Sequence, residues 1–85
     1  MDEKFSGKFH TYALWSDTFK RLYIGHTDNV NRRFEQHNNG RVASTKPYIP
    51  YRMIFTQEFG SNSEAVIREK KLKMASGRKF LKRFI

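Results

Sequence analysis

Two tyrosines eleven residues apart, an arginine and a histidine four apart, and a glutamate among lysines are the side chains with the most chemistry in this sequence. Tyr12 and Tyr23 carry phenols whose ordinary pKa is about 10, and nearby cations would favour the phenolate that takes a proton from water. Arg33 offers a planar fork that can grip a phosphate oxygen, which a lysine cannot do with two donors. His37 can carry a proton near neutral pH, and Glu69 is a hard oxygen ligand suited to a divalent cation. Each also has a structural reading. The tyrosines can simply pack as strand aromatics, Arg33 can belong to a basic helix face beside Arg32, and Glu69 can pair with Lys73 one helical turn on. No Ser-His-Asp set, glycine-rich phosphate loop or zinc-ligand spacing competes with them.

Charge narrows the partner. Seventeen Lys and Arg against eight Asp and Glu give +9 over 85 residues, which a polyanion would exploit through counterion release. Nucleic acid is therefore the expected partner, bound through an enzyme's site or by a module without turnover. There is no cysteine, which excludes a disulfide scaffold and a thiolate zinc site. No stretch approaches the ~18 apolar residues of a membrane span, and the N-terminus lacks the apolar run of a signal peptide. These features predict a soluble cytoplasmic protein with no membrane association and no obligate protein partner.

The elements that must position these side chains follow from pattern. Residues 1–8 are polar and expected to be disordered, leaving residues 9–85 as one domain with one core closed by eight Phe, four Tyr and one Trp. Thr11–Ser16 and Arg21–His26 are β-prone runs around a short polar break and read as a hairpin. A two- or four-residue loop near Asp17-Thr18 gives an odd register, which puts Tyr12 and Tyr23 on one sheet face. From Asp28 to Asn38 the period becomes helical, with Asp28 or Asn29 as N-cap, Val30 and Phe34 as the buried stripe, and Asn38-Asn39-Gly40 as a left-handed stop. Arg33 and His37 then share the neighbouring stripe. Adjacent helix positions point about 100 degrees apart, so only one of Arg32 and Arg33 faces the site.

Gly40, Pro47 and Pro50 mark a loop, and Tyr51–Phe59 reads as a strand with Met53 and Phe55 on one face and Phe59 in phase. Ser61-Asn62-Ser63-Glu64 has the form of a capping box and opens a helix through Met74, with Ala65 and Leu72 buried and Ser76-Gly77 as the break. The tail from Arg78 is amphipathic, with Phe80, Leu81, Phe84 and Ile85 on its apolar side. The predicted fold is α+β (mixed α/β), a three-stranded sheet flanked by helices in the order β-β-α-β-α-α.

Thr11–Ser16, Tyr23-Ile24-Gly25, Asn31–Asn38 and Ser63–Lys73, in this order and spacing, resemble the GIY-YIG nuclease superfamily. Within it the stand-alone single-domain group similar to the N-terminal nuclease domain of the ABC excinuclease is the nearest likeness. The resemblance runs from about residue 9 to residue 85. It implies a metal-dependent endonuclease that hydrolyses phosphodiester bonds in DNA, rather than RNA, with a role in DNA repair or processing and with structure-directed or weak specificity.

Position by position, the resemblance makes Tyr12 and Tyr23 the two motif tyrosines, Arg33 the catalytic arginine, His37 a histidine found one turn after it, and Glu69 the ligand of Mg²⁺ or Mn²⁺. Tyr12 is the expected general base with Tyr23 orienting it or binding water, the reverse being open. His26 stands where excision-repair relatives carry lysine and is expected at a phosphate or a tyrosine proton. His10 and Thr11 replace the Gly and Ile of the first motif half, and Leu81 lies where many members have an Asn. Arg32, Arg41, Lys46, Arg68, Lys73 and Arg78 are expected to contact backbone phosphates, which position a strand without reading its sequence. The alternative is a non-catalytic nucleic-acid-binding module with the same fold.

Overall fold

A computed structural model of the chain describes residues 8–85; the expectation for residues 1–7 lies outside the described residues. Strand β1 (Phe9–Ser16) is joined by a four-residue loop to β2 (Arg21–Thr27), followed by helix α1 (Val30–Asn38), a 3-10 turn (Lys46–Tyr48), β3 (Arg52–Phe59), α2 (Asn62–Leu72) and α3 (Ala75–Lys82). The sheet order is β2-β1-β3, with both pairings antiparallel. Residues 11–14 of the central strand are all buried because both faces of the sheet are covered.

The hairpin register decides which side chains meet. Ser16 pairs with Arg21 and Tyr12 with Gly25, so the loop is Asp17–Lys20 and the register is odd, as expected from parity. Tyr12 and Tyr23 accordingly share a face, and Thr11 and His26 share the opposite one. On the first face Tyr12 and Leu14 pack with Tyr51 under α1 and the following loop. On the second, Ala13 and Ile24 pack with Leu72 and Leu81 of α2 and α3.

Local signals hold α1 in place. Asn29 is the N-cap, its side chain accepting from Arg32 N. At the other end Gly40 has φ +75, with Gly40 N donating to His37 O and Arg41 N to Gln36 O. That is the Schellman ending, and glycine is the residue that adopts it without a Cβ penalty. Asn38 then fixes the chain after the loop, donating to Tyr51 O at 2.9 Å and accepting from Tyr51 N at 2.7 Å. The capping box of α2 also forms, Glu64 N donating to Ser61 Oγ.

Three local expectations are corrected. Met53 and Phe55 do not share a face: the β1–β3 register shifts between Ala13 and Leu14, so Phe55 pairs with Ala13 while Met53 pairs with Leu14. A bulged residue, Ile54, reverses the alternation. The buried residue of α1 is His37, with Val30 and Phe34 only half-buried. Finally, Ser76-Gly77 does not break the last helices. The break is at Lys73-Met74, and Gly77 lies inside α3, where a Cβ would stand 2.4 Å from Leu72 Cα and from the Lys71 carbonyl oxygen. Glycine is there so that α3 can lie against the end of α2.

Candidate active site

Under α1, the sheet face that carries Tyr12 and Tyr23 meets Arg33 and His37. Tyr12 is 1% exposed and His37 fully buried, and the Tyr12 hydroxyl lies 2.8 Å from His37 Nε2. The other imidazole nitrogen, Nδ1, is 2.8 Å from Thr45 Oγ1. Thr45 is also buried, and its hydroxyl donates to the Val42 carbonyl. A hydroxyl has one proton, so Thr45 receives from His37 Nδ1–H and leaves Nε2 as a bare acceptor. The chain therefore runs in one direction, from Tyr12 O–H to His37 and from His37 to Thr45. Gly25 makes room for it, since a Cβ there would lie 2.9 Å from the Tyr12 hydroxyl.

Burial shapes the charges. Burial, then the neighbouring Tyr23, push the Tyr12 phenol well above its ordinary value, while Arg33 works in the opposite direction. Burial and then the Arg33 charge press His37 down to about 4, so its imidazole is neutral at pH 7. Arg33 is held high by Tyr12 and stays cationic. It also donates to Gln36 Oε1 at 3.1 Å, one turn along α1. Tyr23 is half-buried, its ring centroid 6.1 Å from that of Tyr12 and 4.7 Å from that of His37.

The opposite sheet face carries a second group. Thr11 Oγ1 donates to the Ala65 carbonyl at 2.7 Å, tying α2 to the central strand. Glu69 is one turn beyond Ala65, and His26 is the cross-strand partner of Thr11. This tie therefore sets Glu69 over His26, with Oε1 2.5 Å from His26 Nδ1 and Oε2 2.7 Å from Lys73 Nζ. The Glu69 side chain is 16% exposed. Burial raises its pKa, but the bonds from Lys73 and His26 outweigh that and hold it below the usual carboxylate value.

The two groups meet around the β2 edge. An open groove of about 490 Å³ is lined there by His26 and Thr27 of β2, Arg32, Arg33 and Gln36 of α1, and Asn62 of α2. Arg32 pairs with Asp28 at 2.7 Å at its rim. Tyr12, Tyr23, His37 and Glu69 do not line it; the first group reaches it through Arg33 and the second through His26. The remaining basic residues do not line it. Arg41 and Lys46 are exposed in the loop after α1, Lys73 is paired to Glu69, and Arg68 donates to Gln57 Oε1 and lies over the Phe55 and Phe80 rings. Arg78 donates to the Lys73 carbonyl. Leu81 is fully buried in the core under α3, so its position packs rather than lines the groove.

The comparisons with known proteins agree with this geometry. A model of the GIY-YIG catalytic domain matches residues 8–82. The chain belongs to the GIY-YIG family. It is 37% identical over 62 residues to a UPF0213 protein of Staphylococcus saprophyticus, covering 72% of this chain and 76% of the relative. To a UPF0213 protein of Natronomonas pharaonis it is 39% identical over 68 residues, 79% of this chain and 80% of the relative. The solution structure of a UPF0213 protein from Bacillus halodurans aligns with TM-score 0.50 and 32% identity over 85% of this chain and 77% of that one. The three-stranded α+β fold is thus that of a stand-alone GIY-YIG protein.

GIY-YIG membership makes this a nuclease-family domain, with nucleic acid as the substrate class, and nucleases of the family generally depend on a divalent metal. Among the described residues no three His, Cys, Asp or Glu cluster as a cage. Both oxygens of Glu69 are bonded, one to His26 and one to Lys73, so a cation held there would displace one of these bonds and take the rest of its shell from water and substrate phosphate. Among the described residues no helix of this GIY-YIG chain is long and apolar enough to cross a membrane. Sequence reasoning had passed over Thr45, Gln36 and Asn62 as parts of the site. Thr45 sat in a run of loop residues, and nothing local marks it as the partner of His37.

Proposed function

We propose that the protein is a metal-dependent endonuclease that hydrolyses phosphodiester bonds in DNA, without strong sequence preference, in repair or processing of branched or damaged strands. The observation that carries this reading is the directed hydrogen-bond chain from Tyr12 through His37 to Thr45, set behind an arginine-lined groove.

In this reading Arg33 binds the scissile phosphate through its fork and offsets charge on the pentavalent transition state. Of the two phenols Tyr23 has the exposed surface, so Tyr23 meets the attacking water while the buried Tyr12 orders it from behind. Tyr12 passes its proton to His37 Nε2 as the tyrosines take up the proton lost by the water. The water oxygen bonds to phosphorus, the strand's P–O bond breaks, and the leaving oxygen takes a proton from solvent. His37, with its pKa pressed to about 4, then releases its own. Thr45 keeps Nε2 in the accepting tautomer. His26 steadies Glu69 and contacts phosphate from the groove wall. Glu69 would hold a Mg²⁺ or Mn²⁺ ion, which would supply Lewis-acid chemistry. Arg32 adds a phosphate contact at the rim, and Arg41, Lys46, Arg68, Lys73 and Arg78 add diffuse attraction rather than contacts in this groove.

The test is cleavage of flapped, branched and single-stranded DNA with Mg²⁺ or Mn²⁺, beside the variants Tyr12→Phe and Glu69→Gln. Loss of cleavage in both, by about a hundredfold or more, is the expected result. Cleavage unchanged in both variants would trace the activity to a contaminant. DNA binding without any cleavage by the unaltered chain would leave a binding module in place of the enzyme.

A further inference from the structure

A second groove of about 570 Å³ opens at the other end of the β2 edge, where the hairpin loop faces α3. Its floor is Trp15 and Leu22, cross-strand partners on the α3 side of the sheet. Three cations border them: Lys20 from the hairpin, and Arg78 and Lys82 one turn apart on α3. Its lining holds no Asp or Glu side chain and is completed by Ile85. Asp17, the carboxylate of the hairpin loop, is taken by Arg52, 2.8 Å away on β3. Arg78 is bonded to the Lys73 carbonyl, while Arg21, which also borders the groove, turns its guanidinium to the other sheet face, 4.1 Å over the Tyr48 ring.

An aromatic ring on the floor of a cationic groove is the combination that binds unpaired nucleic acid, the ring stacking a base and the cations following the phosphates. A duplex keeps its bases stacked on one another and cannot offer a face to Trp15. The groove and the candidate active site lie at opposite ends of one strand. From Arg21 to His26 is about 17 Å at ordinary strand rise, or about five nucleotides at helical spacing.

We propose that the Trp15 groove is a binding site for single-stranded nucleic acid, holding the unpaired arm of a substrate whose cleavage point lies in the His26–Arg33 groove. The second half of this statement rests on the nuclease reading; the first does not. The domain then selects junctions between paired and unpaired strands by spanning them, with no additional DNA-binding domain needed.

Trp15 is the single tryptophan of the chain, so its fluorescence reports occupancy directly. The experiment titrates the full chain, in EDTA, with a short deoxythymidine oligonucleotide and with a duplex of the same length. The expected result is saturable quenching by the single strand and much weaker quenching by the duplex, with a log–log salt slope of about −2 for three phosphate contacts. The double variant Arg78→Glu and Lys82→Glu is expected to weaken the single strand by about tenfold or more, while Lys70→Glu, an exposed charge on α2 that lines neither groove, leaves it within about twofold. Both altered α3 positions are exposed, and melting curves confirm folding. Quenching that is absent, equal for duplex, or indifferent to the α3 double variant overturns the proposal. Because the titration contains no metal and reads no cleavage, an inactive protein that still shows the quenching would sink only the nuclease reading.

Discussion

The Tyr12 hydroxyl and His37 Nε2 face each other at 2.8 Å with both residues out of solvent, joining the central strand to α1 through one polar contact. A buried pair of this kind has to be satisfied on every side, because an unmade bond in the interior costs about 1–3 kcal/mol. The tyrosine is met by Arg33 and the histidine by Thr45. The arrangement binds the fold and the proposed chemistry to the same atoms.

Thr45→Val tests that coupling. Valine keeps the shape but removes the acceptor of His37 Nδ1–H, so the fold should lose about 1–3 kcal/mol in urea unfolding. The imidazole is then free to put its proton on Nε2, which faces Tyr12 as a donor instead of an acceptor. Cleavage should fall by about tenfold or more, and the nitrogen shifts of His37 in NMR should show the tautomer change. A variant that cleaves and titrates like the parent would remove Thr45 from the relay.

His37 also gives stability a pH dependence. Its pKa falls from 6.5 to about 4 on folding, through burial and then Arg33. Between these values the unfolded chain holds a proton that the folded chain does not, so stability rises with pH across this window. The contribution is full above about 6.5 and is lost as pH falls toward 4, on the order of 3 kcal/mol at about 1.4 kcal/mol per unit. Thermal melts from pH 8 to pH 4 should show the decline beginning near 6.5, and His37→Asn should flatten it.

Gly25→Ala should disable the site more than the fold. The added Cβ would lie 2.9 Å from the Tyr12 hydroxyl and 3.0 Å from a Tyr23 ring carbon, and neither packed ring can swing aside freely. Overpacking of this kind costs about 1–3 kcal/mol. Cleavage should fall by about tenfold or more because the Tyr12–His37 distance must lengthen. Equal activity with the same melting temperature would show that the rings adapt.

Gly77→Ala should do the reverse. Its Cβ would meet Leu72 Cα and the Lys71 carbonyl oxygen at 2.4 Å, and these are backbone atoms. Separating α3 from α2 should cost about 3 kcal/mol or more, read as a lower urea midpoint. Whatever protein remains folded at low temperature should keep the proposed site, whose groove α3 does not line.

The sequence by itself determined what depends on spacing along the chain. Tyr12 and Tyr23 share a face because an odd register follows from any even loop, even though the loop proved to be Asp17–Lys20. Asn29, Gly40 and Ser61 mark helix ends through their own local bonding. Helical rotation separates Arg33 from Arg32, but the expectation that only one of them faces the site is corrected: both line the groove, and Arg33 is the one beside Tyr12. The tertiary structure alone decided which distant groups meet. Ile54 bulges where β3 changes register against Ala13 and Leu14 of β1, and Gly77 is needed only because α3 folds back on α2. His37 is buried because Thr45, from a loop with no repeating pattern, arrives to complete its bonding. Glu69 reaches His26 because Thr11 ties α2 to β1. Local preference is set by neighbours in the chain, whereas burial and partner choice are set by elements that approach from far away.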